Sequence, residues 1–194
     1  TRPIIVDQSN IELIGAANHG TVIRPAADWV SIILAGGAQA TGVITFSGVS
    51  NFAARNFIVE SLTLPMNGII AIPSGNLATG TISDHGLFDN NIVKMAQAHT
   101  YSIWSLLSTD MIVSNNVIDG GATNENAHFS QEGIEIFGGS NVLISNNNVS
   151  NMGNAAINIV TISDTVNNSD VNNVTICNNV IDFSRIAISF NTSY

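Results

Sequence analysis

The sequence is poor in charge. Only 10% of its 194 residues are Asp, Glu, Lys or Arg, five of these are cationic, and the net charge is −9. Such a chain repels phosphates and anionic lipid, so neither nucleic acid nor a membrane is an expected partner. There is one cysteine, Cys177, which leaves no disulfide framework within the chain. No apolar run reaches the ~20 residues of a membrane-crossing helix, and no segment carries a helical period with capping signals at its ends. The histidines at 19, 85, 99 and 128 lack metal-ligand spacing, and no acidic triplet falls in register. Neither a metal nor any other cofactor is expected.

What the sequence does contain is short, apolar and β-branched. Hydrophobic residues make up 45% of it, too many for a disordered chain. They come in runs of four to eight, bounded by Gly, Asn or Ser, as strands do. Gly133 to Asn151, GIEIFGGSNVLISNNNVSN, shows the unit. Ile134 and Ile136 alternate with Glu135, a half-buried strand. A Gly-Gly-Ser-Asn turn leads to Val142-Leu143-Ile144, and a tight Ser-Asn-Asn bend leads to a third strand.

The unit recurs. Aligning the Asn-Asn pairs that begin at Asn90, Asn115, Asn146 and Asn178 gives steps of 25, 31 and 32 residues. A self-similarity of this period marks a solenoid or a propeller. Leucine-rich repeats, four-stranded blades and strict hexapeptide helices each require features that are missing. Three short strands per turn and an Asn at one bend predict an all-β, right-handed, single-stranded parallel β-helix of about seven rungs, forming one domain over 1–194. With strands ~4.8 Å apart, the rod is roughly 35 Å long. Asn90, Asn115, Asn146 and Asn178 are expected to stack inside as an amide ladder. Cys177 occupies the slot held by Ser114 and Ser145 in other rungs and reads as a small structural residue.

Two stretches, Val142-Leu-Ile-Ser-Asn-Asn-Asn-Val-Ser150 and Asn173-Val-Thr-Ile-Cys-Asn-Asn-Val-Ile181, resemble repeats of the pectate-lyase-like parallel β-helix superfamily. The opening, from Ile11 through Arg24-Pro25, resembles the first rungs of phage tailspikes and related polysaccharide-active members. The resemblance covers most of the chain. It implies a polysaccharide ligand or substrate and an extracellular or virion-surface location. Members usually carry an N-terminal capping helix, and none is visible here. The chain begins with Thr and breaks off within a rung, so it is read as a fragment of a longer chain or spike, or as part of an oligomer such as a homotrimer. The epimerase-type motif of the superfamily departs at Glu132-Gly-Ile-Glu-Ile-Phe137, and no Arg or Lys stands with a calcium-binding acidic cluster as a lyase site requires.

The Asn alignment also sets the register of the first strand in each rung. It predicts an outward column of Ile70, Trp104, Glu135 and Asn158, with Ser189 beyond, and it places Tyr101 level with Glu132. An aromatic, a carboxylate and an amide at strand spacing suit a sugar: the ring stacks on CH faces and the polar groups bond hydroxyls. Glu135 and Glu132 are therefore the candidate catalytic carboxylates. Trp104, Tyr101, Asn158 and His128 are the candidate substrate-binding residues. Residues i and i+3 on a regular strand point to opposite faces, so Glu132 joins Glu135 only if Gly133 lets the chain bend. Two function classes follow: a polysaccharide-degrading glycoside hydrolase of tailspike or depolymerase type, with a lyase or epimerase as the alternative chemistry, or a non-catalytic glycan-binding or structural spike β-helix.

Overall fold

The computed structural model describes residues 3–26, 32–33, 39–40, 42–62, 66–74, 80–95, 100–121, 131–162 and 170–193. Within them the chain winds through three parallel sheets in a fixed order. The first sheet stacks seven strands: Ile4–Val6, Gly42–Ser47, Asn67–Ile72, Tyr101–Leu106, Glu132–Phe137, Ala155–Ile162 and Ile186–Ser193. The second sheet has six: Glu12–Ile14, Ser50–Arg55, Asp84–Asp89, Ile112–Ser114, Ser140–Ser145 and Asn172–Cys177. The third also has six: Thr21–Ile23, Phe57–Ser61, Ile92–Met95, Val117–Asp119, Asn148–Ser150 and Val180–Asp182. An antiparallel pair, Ile32–Ile33 with Gln39–Ala40, stands apart from the three sheets. This is a parallel β-helix, as the repeat spacing predicts.

The inner surface is apolar because the positions that alternation along the strands turns inward carry mostly apolar side chains. In the first sheet Ile44, Ile69, Ile103, Ile134 and Ile157 lie in one register column, and all are buried. Phe46, Phe52 and Phe88 pack together at the end nearer the N-terminus, with ring centroids 4.6 to 5.9 Å apart. One continuous core results, running from Val6 to Ile159.

The amide ladder exists, but one residue further along than expected. Asn91, Asn116, Asn147 and Asn179 face inward at the bend between the second and third sheets. Asn116 Oδ1 accepts from both the backbone N–H (2.9 Å) and the Nδ2 (3.1 Å) of Asn91. Asn147 does the same for Asn116, and Asn179 for Asn147. Each Nδ2 also donates to a carbonyl of the rung before: Ala54, Phe88, Val113 and Ile144 in turn. The expected residues Asn90, Asn115, Asn146 and Asn178 are exposed instead, with φ of 51°, 57°, 57° and 56°. The bend needs one left-handed residue per rung, a conformation that Asn tolerates better than other side chains. The first Asn of each pair supplies the turn, and the second is carried inward by it.

Candidate functional site

The predicted register holds on the outer face of the first sheet, where the candidate residues lie. Trp104 pairs with Ile70 and with Glu135, Glu135 pairs with Asn158, and Asn158 pairs with Ser189. Tyr101 pairs with Glu132. The tertiary structure also meets the condition on Gly133. A Cβ there would lie 2.6 Å from Cγ1 of the core residue Val149 and 2.5 Å from the Ala156 carbonyl, so position 133 faces inward. Ile134, beside it, is in the core as well. Two consecutive inward positions break the alternation, as at a β-bulge, and return Glu132 to the face that carries Glu135. One strand earlier the same break is seen directly: the Tyr101 and Trp104 rings stack with centroids 5.1 Å apart and planes at 19°.

The first sheet thus brings together Glu132, Glu135, Tyr101, Trp104 and Asn158. His128 lies outside the described residues. Three amides that sequence reading passed over complete the network. Asn154 Nδ2 donates to Glu132 Oε1 at 2.8 Å, Asn191 Nδ2 donates to Asn158 Oδ1 at 2.8 Å, and Asn67 Oδ1 accepts the Tyr101 backbone N–H at 2.8 Å. Asn154 lies just before its strand, in a turn whose place in the rung no repeat signal marks. Asn191 is two residues past Ser189, the residue level with Asn158, where alternation alone could have put it on the same face.

One expectation needs correction. Glu135 points away from the core but not into solvent: it is 3% exposed, and Asn158 is 5% exposed. Beside them the same outer face carries a second apolar cluster, Ile70, Ile72, Leu106 and Leu107, with Trp104 and Phe137 packed on it. Alternation predicts on which side of a sheet a residue lies, not whether that side is wet. Asn158 Nδ2 donates to Glu135 Oε2 at 2.7 Å. The other oxygen, Oε1, and the Trp104 indole N–H are both buried without a hydrogen bond of normal geometry, although the indole is close enough to favour the carboxylate.

Burial dominates the electrostatics. It pushes the Glu135 carboxyl up to about 7, with the Glu132 charge adding to the rise and the Asn158 and Trp104 donors opposing it. Burial likewise raises the Tyr101 phenol, helped by the charges of Glu135 and Glu132. The two carboxyls and the phenol therefore act on one another within a single site.

No protein-family model matches the chain, and no curated protein matches it. Among solved structures it is similar to a mutant of the periplasmic alginate epimerase AlgG, with a TM-score of 0.30 and 12% identity over 98% of this chain and 46% of that one. The chain thus spans about half the length of that protein. A likeness at this level transfers neither a substrate nor a residue role.

The raised carboxyl has a consequence for stability. Glu135 ionises near 4.5 when unfolded and near 7 when folded, so the folded state holds its proton more tightly. Stability from this group is fully present below about pH 4.5 and is lost as pH rises through about 7. The shift corresponds to roughly 3 kcal/mol. Glu60 works in the opposite sense: Arg24 above all, and then Lys94, hold its carboxyl below the usual value, so its contribution is lost on acidification. Urea unfolding at pH 5 and pH 8, compared between the wild type and Glu135→Gln, isolates the Glu135 part. The wild type should lose stability relative to the variant at the higher pH. An identical pH dependence in both proteins would mean that Glu135 is not desolvated.

Proposed function

We propose that the protein is a polysaccharide-binding and polysaccharide-degrading β-helix, and that Glu135 and Glu132 hydrolyse a glycosidic bond on the outer face of the first sheet. The observation that carries this reading is the placing of two carboxyls, Glu132 and Glu135, level with the stacked Tyr101 and Trp104 on one face. Glycoside hydrolysis needs one carboxyl that is protonated at working pH and another that is not. Glu135, raised to about 7, supplies the first as general acid to the glycosidic oxygen. Glu132, held by Asn154, is the base or nucleophile. The stacked aromatics present a sugar-binding surface. A chain with net charge −9 and two carboxyls at its site favours a neutral glycan over a polyanion.

A second reading rests on the burial of the same groups. Glu135, Asn158 and Asn191 form a bonded series across three strands, which also serves to tie rungs together in a non-catalytic glycan-binding shaft. Reducing-end release from a panel of neutral and acidic surface polysaccharides decides between the two. Release by the wild type supports the hydrolase. Binding without release supports the shaft. In either case Trp104→Ala should weaken glycan binding by about 1 kcal/mol, a severalfold rise in Kd, through lost stacking area. Unchanged binding in a titration with that variant would move the glycan away from this face.

A further inference from the structure

We propose that the outer face of the third sheet is a self-association surface, on which a second copy of the chain docks with its rod axis reversed. The proposal concerns a different face from the glycan site and does not depend on it. The face has two columns of side chains. One column runs Val22, Ile58, Ile92, Val117, Asn148, Val180 by strand register. It is apolar but for one residue, and it is not covered: Val22, Val117 and Val180 are 45%, 45% and 61% exposed. The other column is Glu60, Lys94, Asp119, Ser150 and Asp182, and Arg24, the residue after Ile23, falls level with Glu60 because Ile23 pairs with Val59.

The order of charges in that second column selects the partner. Arg24 Nε donates to Glu60 Oε2 at 2.6 Å, and Lys94 Nζ lies 3.4 Å from Glu60 Oε1, so this half of the face carries an excess of positive charge. The guanidinium and ammonium side chains remain 66% and 43% exposed. The other half carries Asp119 and Asp182 around an uncharged Ser150. A two-fold axis lying along the strand direction, between the Ile92–Met95 and Val117–Asp119 strands, places each column opposite itself in reverse order. Lys94 then meets Asp119, Arg24 meets Asp182, and the already neutralised Glu60 meets Ser150. In the apolar column Ile92 meets Val117 and Val22 meets Val180. A two-fold axis along the rod would instead set the charged column over the apolar one, at a desolvation cost. The antiparallel arrangement is the one that the pattern fits.

Strands of about three residues over six rungs give a face of roughly 25 by 10 Å. That is smaller than a standard interface, so the dimer should be weak, with a Kd in the region of about 0.1–1 mM. Sedimentation velocity on the full chain at rising concentration and low salt tests it. The wild type should shift from monomer to dimer. Lys94→Glu and Asp119→Lys, each alone, face like charges at both contacts near the axis and should remain monomeric at concentrations where the wild type pairs. An equimolar mixture of the two variants restores opposite charges at both contacts and should dimerise again. A wild type that stays monomeric up to about 1 mM, a trimer, or a mixture that fails to pair would each overturn the proposal. Asp119 also accepts from the Gly121 N–H and from Asn151 Nδ2, so Asp119→Lys risks misfolding. Should that happen, Val117→Asp takes its place: it leaves those bonds intact and puts a charge against Ile92 of the second copy. Undiminished dimerisation of that variant would equally refute the face.

Discussion

Glu135→Gln is expected to lower the cleavage rate by about 10²–10⁴-fold on any glycan that the wild type cleaves, with the fold unchanged. The substitution keeps the side-chain size, the strand register and a partner for Asn158, and removes only the transferable proton. In the wild type the protonated fraction of Glu135 falls as pH rises through about 7, so activity that depends on it as an acid should fall over the same range. The variant should lack that limb of the profile. Rate against pH, measured by reducing-end release on both proteins, checks the two expectations together. Normal turnover in Glu135→Gln would take the residue out of the mechanism. A wild-type profile flat from pH 5 to pH 9 would mean that another group donates the proton.

Asn147→Ala should destabilise the protein by about 3 kcal/mol or more. Asn147 Oδ1 accepts from Asn116 N–H and Nδ2, and its own Nδ2 donates to Val113 O and Asn179 Oδ1, with distances of 2.9 to 3.0 Å. Truncation leaves buried donors and acceptors on two neighbouring rungs with no replacement, since Asn116 is fully buried and no solvent reaches it. Asn146→Ala, one position earlier, should cost about 1 kcal/mol, the strain of a left-handed Ala on an exposed bend. Equilibrium urea unfolding of the pair separates a ladder from a turn. Equal losses in both would contradict the inward placement of the second Asn.

That pair shows where the repeat signal stops. Two adjacent asparagines recur in four rungs, at 90/91, 115/116, 146/147 and 178/179, and nothing in their identity says which one turns the chain and which one stacks. The rung with Asn56 and Phe57 held a clue. A single Asn there aligns with the first of the pair and has φ 64°, while a buried Phe fills the second slot. An apolar residue in the second slot marks it as inward.

The sequence alone determined the periodic properties: an all-β solenoid, the order of three short strands in each rung, and the register that sets Trp104 level with Glu135 and Glu135 level with Asn158. These follow from alternation and from the spacing of bends, both of which are local. The tertiary structure decided what depends on distant parts of the chain. The break in alternation at Gly133 lies where the chain packs against Val149 and Ala156, residues 16 and 23 positions further on, leaving no room for a Cβ, and it is what brings Glu132 to the side of Glu135. The dryness of the site is likewise non-local, because the apolar residues beside it come from several rungs. With that dryness comes the raised carboxyl, which distinguishes a candidate acid from a surface glutamate: desolvation is a property of the whole surroundings of a group, and no spacing along a chain encodes it.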